Sequence, residues 1–343
     1  MKRFKCDCDT AVFFGATTCL LCGGILGFDP ARLDIVRIAG SKNDIWTDVN
    51  GVRFRRCSNG ITYDNCNWLI PEHDPDVFCV SCRLNRTIPN LEERENVRLW
   101  SRIEAAKQRL VYSLLALGLP VNSKVRGWPL GLAFDFVEDQ RSNPDVAEEF
   151  VLTGHEDGVI TLNIHEADDV VRVRARESMN ERYRTVLGHT RHESGHYYFE
   201  HLVAVGPALG EFRALFGDER QDYAAALERF YNDGPPADWH DRHITAYAAS
   251  HPHEDWAETW AHYLHITDGL ETAVAFGLCK PVARDIDKVL TGWSEFSIAL
   301  NEIMRGLGLP DAYPFVISPL AADKLRFVDR IIRTASNRPR HRA

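Results

Sequence analysis

The segment His192-Glu193-Ser194-Gly195-His196 places two imidazoles four residues apart, with a carboxylate directly after the first. On a helix, positions i and i+4 share a face, so His192 and His196 can reach one zinc ion. Glu193 then lies beside the metal, where it can act as general base for a zinc-bound water. Gly195 leaves room for a second segment to pack closely. Phe199 and Leu202 occupy the positions where an extended version of this motif would continue with Gly and His. The third ligand must therefore come from elsewhere in the chain.

A second constellation runs from Ile244 to His265. Pro252 sits where a helix can begin. Glu254, Ala257, Glu258, Ala261, His262 and His265 then fall on one stripe, while Trp256, Trp260, Tyr263 and Leu264 fall where they can pack. Glu254 fits the third position of a His₂Glu zinc site with an open place for water. Glu258 fits a carboxylate that holds a zinc histidine through its other ring nitrogen. His262 and His265 share the stripe and are rival ligands or core histidines, and His189, one turn before His192, stands in the same position.

The third constellation is sulfur. Eight of the nine cysteines lie in the first 82 residues: Cys6, Cys8, Cys19, Cys22, Cys57, Cys66, Cys79 and Cys82. Cys19-Leu-Leu-Cys22 and Cys79-Val-Ser-Cys82 each set two thiolates on a tight turn, and each needs two more ligands for a tetrahedral Cys₄ site. Sequential pairing gives one zinc per four cysteines. Cys6-Asp-Cys8 is a residue shorter than a usual knuckle, and the stretch from Cys57 to Cys66 is long, which predicts a looser second site. Cys279 stands alone and is expected to be buried.

These groups need elements to hold them. Residues 1–90 are rich in Cys, Gly, Asn, Asp and Pro and sustain no helical period, which predicts a small module held by metal rather than by a core. From Leu91 to Leu119 the pattern becomes amphipathic and helical, with Trp100, Ile103, Ala106, Leu110, Tyr112, Leu114 and Leu117 on the apolar side. Residues 131–137 and 158–164 read as strands. Helices are expected over 166–178, 182–204, 219–231, 253–267, 282–303 and 319–335.

With 343 residues, 45% hydrophobic and 26% charged, the chain has the composition of a folded globular protein. It contains no apolar run long enough to cross a membrane. Residues 1–90 carry 11 Lys and Arg against 10 Asp and Glu, whereas the remainder carries 29 against 39. An acidic body argues against nucleic acid as a partner. Asp7, Asp9 and four cysteines interrupt the first residues, which argues against a signal peptide. A cytoplasmic, reducing location then favours metal over disulfides.

The second constellation resembles the corresponding stretch of anthrax lethal-factor-type metallopeptidases. Tyr247, seven residues before Glu254, matches their oxyanion-stabilising tyrosine. The resemblance gives Glu254 the metal and Glu258 the histidine-orienting role. The whole chain also resembles a bacterial family of zinc-binding metallopeptidases with an N-terminal zinc ribbon. The matching pieces are Cys79 to Pro89, the helix through Leu119, Arg191 to Tyr198, and Glu254 to His265.

The combined expectation is an α+β, mostly helical, zincin-like metallopeptidase domain of the gluzincin type with a small β-sheet. It would span residues 91–336, behind a double zinc-ribbon module over 1–90 and ahead of a basic, disordered tail over 337–343. One catalytic Zn2+ and two structural ones are expected, with a peptide or protein as substrate and protein docking through the ribbon. The alternative from a different class is a non-catalytic interaction or regulatory module on a zincin scaffold.

Overall fold

A computed structural model describes the chain except residues 141–144, 148–150, 152, 179–182, 283–284 and 337–343. The expected tail therefore lies outside the described residues. The chain divides into two compact units, Lys2–Ala175 and Arg176–Ala343, the second also including Met1.

The first unit opens with an antiparallel pair, β1 (Phe4–Lys5) and β2 (Ala11–Val12). A five-stranded antiparallel meander follows, made of β3 (Ile25–Asp29), β4 (Asp34–Lys42), β5 (Ile45–Asp48), β6 (Arg53–Arg56) and β7 (Leu69–Pro71). A short helix, α1 (Ser58–Tyr63), lies between β6 and β7. This sheet corrects the expectation of a module held by metal alone. Ile38, Phe54 and Leu69 are buried in it, with Ile25, Val36 and Trp46 packed against them. Phe4, Phe14, Phe28 and Trp68 form a second cluster with Tyr112, the closest pair being Phe28 and Trp68 at 4.5 Å between ring centroids. Four of the strands, β3, β5, β6 and β7, are too short to establish an alternation of two, and the longer β4 is interrupted at Gly40, where φ is +67° and its register against β5 shifts.

The rest of this unit couples one long helix to a second sheet. After β8 (Asn85–Thr87) come α2 (Arg94–Ala116), β9 (Ala133–Val137), β10 (Gly154–Glu156) and β11 (Val159–Asn163). The sheet order is β10-β11-β9-β8, with β9 parallel to both neighbours and β10 antiparallel to β11. Trp100, Ile103, Ala106, Leu110, Tyr112 and Leu114 are buried as the amphipathic pattern predicts, and only Leu117 is half-buried. A buried pair, Lys107 and Glu104 at 2.9 Å, sits on α2. Asn85 of β8 donates to the same Glu104 at 2.6 Å, so the two charges are bonded as well as paired.

Helix α3 (Asp169–Ser178) runs across the unit boundary. The second unit then contains α4 (Val186–Phe199), a π turn over Glu200–Ala204, α5 (Leu209–Phe216), α6 (Tyr223–Asp233) and α7 (Trp239–Arg242). A 3₁₀ turn at Tyr247–Ala249 leads into α8 (Pro252–Ala275), followed by α9 (Ile286–Gly306) and α10 (Pro319–Ser336). Together the units form the expected α+β chain. Helix α4 begins at Val186, capped by the Thr185 hydroxyl, so Tyr183 and Arg184 lie ahead of it although the sequence pattern places them in a helix, and residue 182 lies outside the described residues. Helix α5 lies in a stretch that the sequence pattern leaves unassigned. Cys279 is half-buried, not buried as expected. Among the described residues, no helix is long and apolar enough to cross a membrane.

Helix α8 is the hub of this unit and packs against α4, α9, α10 and the 3₁₀ turn. Its Trp256 and Trp260 are fully buried. A buried ion pair, Lys324 to Asp255 at 2.5 Å, ties α10 to the first turn of α8.

Candidate metal centre

Helices α4 and α8 carry the histidines and glutamates of the two sequence constellations. Their approach is set by Gly195. A Cβ there would lie 2.9 Å from the Ala257 Cα and 3.2 Å from the Trp260 Cβ, so any larger residue would push the helices apart. Trp256 Nε1 donates to the Gly195 carbonyl at 2.8 Å, and Trp260 Nε1 donates to Ser194 Oγ at 3.0 Å. The tryptophans beside Glu254 and Glu258 in sequence thus fix the rotation of α8 against the His192–His196 turn. Pro252 occupies the first turn of α8 as expected, and the His251 ring caps it.

The result is a convergent cluster. His192 Nε2 lies 3.2 Å from His196 Nε2 and 3.0 Å from Glu254 Oε2, and His196 Nε2 lies 3.5 Å from Glu254 Oε1. Glu254 is 1% exposed and its Oε2 has no hydrogen-bond partner. Two ligands on a tetrahedral zinc, bound at about 2.0–2.1 Å, would stand about 3.4 Å apart. The donors are two imidazole nitrogens and a carboxylate, the set that zinc takes in sites with one open position. The residues present fit a zinc ion.

Charge makes the same demand. Burial would lower the His192 pKa, yet the neighbouring carboxylates of Glu254 and Glu258 hold it well above the ordinary imidazole range. Burial would likewise raise the Glu254 carboxyl, yet His196, His192 and Tyr223 hold it below the ordinary carboxylate range. The carboxylates call for positive charge between them, and a metal cation supplies it with release of a proton. Glu258 Oε1 lies 2.6 Å from His192 Nδ1, so the other ring nitrogen is left to face the cluster.

Glu193 is buried beside these groups. Tyr247 stands in the 3₁₀ turn with its ring 6.1 Å from that of His192. Burial first, then Glu254, Tyr223, Tyr231 and Glu193, push the Tyr247 hydroxyl well above the usual tyrosine range, so it stays a donor.

The rival histidines lie outside the cluster, which comprises His192, His196 and Glu254. His262 Nδ1 meets the Tyr313 hydroxyl at 2.7 Å, and burial pushes its pKa down to about 4. His265 Nδ1 meets Arg191 at 2.5 Å, and Arg191 is also paired with Asp268. One residue of the cluster's surroundings was not readable in the sequence. The Tyr223 hydroxyl donates to Glu254 Oε1 at 2.8 Å. Tyr223 belongs to no motif in the sequence and is one of ten tyrosines.

The eight N-terminal cysteines form two groups of four, Cys6, Cys8, Cys19 and Cys22, and Cys57, Cys66, Cys79 and Cys82. Cys6 and Cys22 have their sulfurs 3.7 Å apart, Cys8 and Cys19 3.6 Å, and Cys66 and Cys79 3.7 Å. A disulfide is about 2.05 Å, whereas sulfurs sharing a tetrahedral zinc stand about 3.8 Å apart. The short Cys6-Asp-Cys8 spacing is accommodated on the turn between β1 and β2, where Asp9 has φ +65°. The second group is not the looser one, and all four of its cysteines are buried. Helix α1 takes up the long stretch between Cys57 and Cys66. Gly60 makes that possible, since a Cβ on it would fall 2.0 Å from the Cys66 carbonyl oxygen.

Comparison with known proteins agrees with this chemistry. A family model described as "Putative zinc-binding metallo-peptidase" matches residues 96–331, and a zinc-ribbon domain model matches residues 3–93. Uncharacterized proteins from two strains of Mycobacterium tuberculosis and one of Mycobacterium bovis are each 39% identical over 344 residues, covering 97% of this chain and 95% of theirs. No solved structure matches the chain significantly.

Proposed function

We propose that this chain, which belongs to the zinc-binding metallo-peptidase family and carries that zinc-ribbon domain, hydrolyses peptide bonds at the α4–α8 centre. The observation that carries the reading is the convergence of His192, His196 and Glu254 on one point, with Glu193 and Tyr247 beside it. His192, His196 and Glu254 would hold the catalytic zinc, and the two cysteine tetrads one structural zinc each. A zinc ion held there supplies a Lewis acid next to the scissile carbonyl and its attacking water.

Glu193 takes the proton from the attacking water and delivers it to the leaving amine. Tyr247 donates its hydroxyl proton in a hydrogen bond to the carbonyl oxygen as negative charge develops there. Glu258 accepts from His192 Nδ1–H, fixing the tautomer whose Nε2 lone pair faces the cluster. The family-model boundaries support a ribbon module over 1–90 and a peptidase domain over 91–336. Within the ribbon, Phe13, Leu20 and Leu21 are exposed near the first tetrad, which supports protein docking there.

The test is Glu193→Gln, assayed against a peptide library with zinc content measured in parallel. Hydrolysis is expected to fall by about 10²–10⁴-fold with zinc retained. A variant that keeps its zinc and its hydrolytic rate overturns the mechanism. A wild-type protein that holds zinc and cleaves no peptide points to the non-catalytic alternative.

A further inference from the structure

The two oxygens of Glu254 have different surroundings. Oε1 accepts the Tyr223 hydroxyl at 2.8 Å, while Oε2 is buried without a hydrogen-bond partner and lies 3.0 Å from His192 Nε2. A buried carboxylate ordinarily collects donors on both oxygens. Here Oε1 holds the Tyr223 bond and also lies 3.5 Å from His196 Nε2, while Oε2 lies against His192 Nε2 with no donor of its own.

We propose that Tyr223 is a positioning residue for the metal centre: its hydroxyl anchors Glu254 Oε1 and so fixes the rotation of the carboxylate that faces His192 and His196. The proposal rests on the reading of His192, His196 and Glu254 as ligands. A ligating carboxylate needs such a partner because its side chain otherwise rotates among several positions, of which few serve the metal.

The placement of Tyr223 is built, not incidental. It is the first residue of α6, and Asp222 caps that helix by accepting from the Ala225 amide at 3.0 Å. The segment just ahead is held by His251, whose Nε2–H donates to the Gln221 carbonyl at 3.2 Å. The same imidazole accepts the His253 amide at its Nδ1, at 3.1 Å, and so starts α8. Its ring also meets that of Tyr223, with centroids 5.1 Å apart at 78°. One buried histidine therefore registers both partners of the Tyr223–Glu254 bond. Tyr223 does little for the core: it is 44% exposed, and Ala226 is the one buried residue of α6. Its hydroxyl nevertheless turns inward.

The experiment measures zinc affinity on the full-length protein by competition with a chromogenic chelator. It follows the fraction of zinc that is missing in Glu254→Ala. Tyr223→Phe keeps the ring and removes the hydroxyl. The expected result is an affinity for that zinc about 10–100-fold weaker, with cysteine-bound zinc and the melting temperature unchanged. On any cleaved peptide, kcat falls and KM holds. An affinity within about twofold of wild type overturns the proposal, as does a loss matched by a lower melting temperature, which marks a structural role. No substrate is needed for this measurement. A protein that cleaves no peptide would defeat the proposed function and leave this test standing, whereas zinc unaltered in Glu254→Ala defeats the ligand reading and Tyr223 with it.

Discussion

The two cysteine tetrads offer the same four donors, yet they are enclosed differently. The first is pinned on turns around the small β1–β2 pair, with Cys22 exposed and Cys8 half-buried. The second is buried in all four members, closed by α1 and by the turn before β8. Donor identity therefore sets which ion a site takes, while burial sets how much of the fold depends on it. The α4–α8 centre is a third case. Its ligands sit on long helices that pack through tryptophans, so the scaffold stands on its own apolar contacts. A metal bound there would be held by the fold instead of holding it.

This ordering implies graded responses to damage. Cys79→Ser should have the largest effect. Structural zinc contributes about 10 kcal/mol to folding in small modules, so residues 57–82 should lose their structure, read as lost near-ultraviolet circular dichroism and one zinc fewer per chain. A variant that keeps both would place the second tetrad with the first.

Gly195→Val comes next. The added carbons would press α4 from α8, at a cost of about 1–3 kcal/mol, visible as a lowered melting temperature together with loss of the catalytic zinc. Glu258→Gln should leave stability nearly unchanged and weaken that zinc by about 10–100-fold, because the amide cannot hold the His192 proton as a carboxylate does. Cys22→Ser should disturb the fold far less than Cys79→Ser. The first zinc should leave fastest under chelation, while the melting temperature of the unit falls by about 4 °C or less, as for a change near 1 kcal/mol in a domain of this size. Hydrogen exchange over residues 25–71 distinguishes the two tetrads directly: their amides should remain protected in Cys22→Ser and open in Cys79→Ser.

Much of the centre was legible before the fold was known. His192, Glu193 and His196 declare themselves because helical periodicity converts a spacing of four into a shared face. Glu254 and Glu258 follow from the same rule, and Pro252 marks where their helix begins. The long helices α2, α8, α9 and α10 were visible for the same reason, since each sustains an apolar stripe over several turns. The meander β3–β7 was hidden because four of its strands are too short to show a period and β4 is interrupted at Gly40, and its presence turned an expected metal-held module into one with its own core. The second tetrad was misjudged as loose because spacing says nothing of the helix that fills a gap, nor of Gly60 lying against the Cys66 carbonyl.

Residue type and local spacing were thus sufficient to single out the groups that the fold brings together: two imidazoles and a carboxylate in one cluster, and eight thiols in two groups of four. These properties reside within a turn or two of chain, where geometry is covalent and periodic. The sequence favours Glu254 over His189, His262 and His265 as third partner, but its approach to His192 and His196 belongs to the crossing of α4 and α8. That crossing depends on what a Cβ at Gly195 would strike and on where two indole N–H groups find acceptors. Tyr223 belongs to the same class, because its contact with Glu254 spans 31 residues and exists only once His251 has brought the start of α6 to the start of α8. Contacts of that kind are products of packing, and no local pattern encodes them.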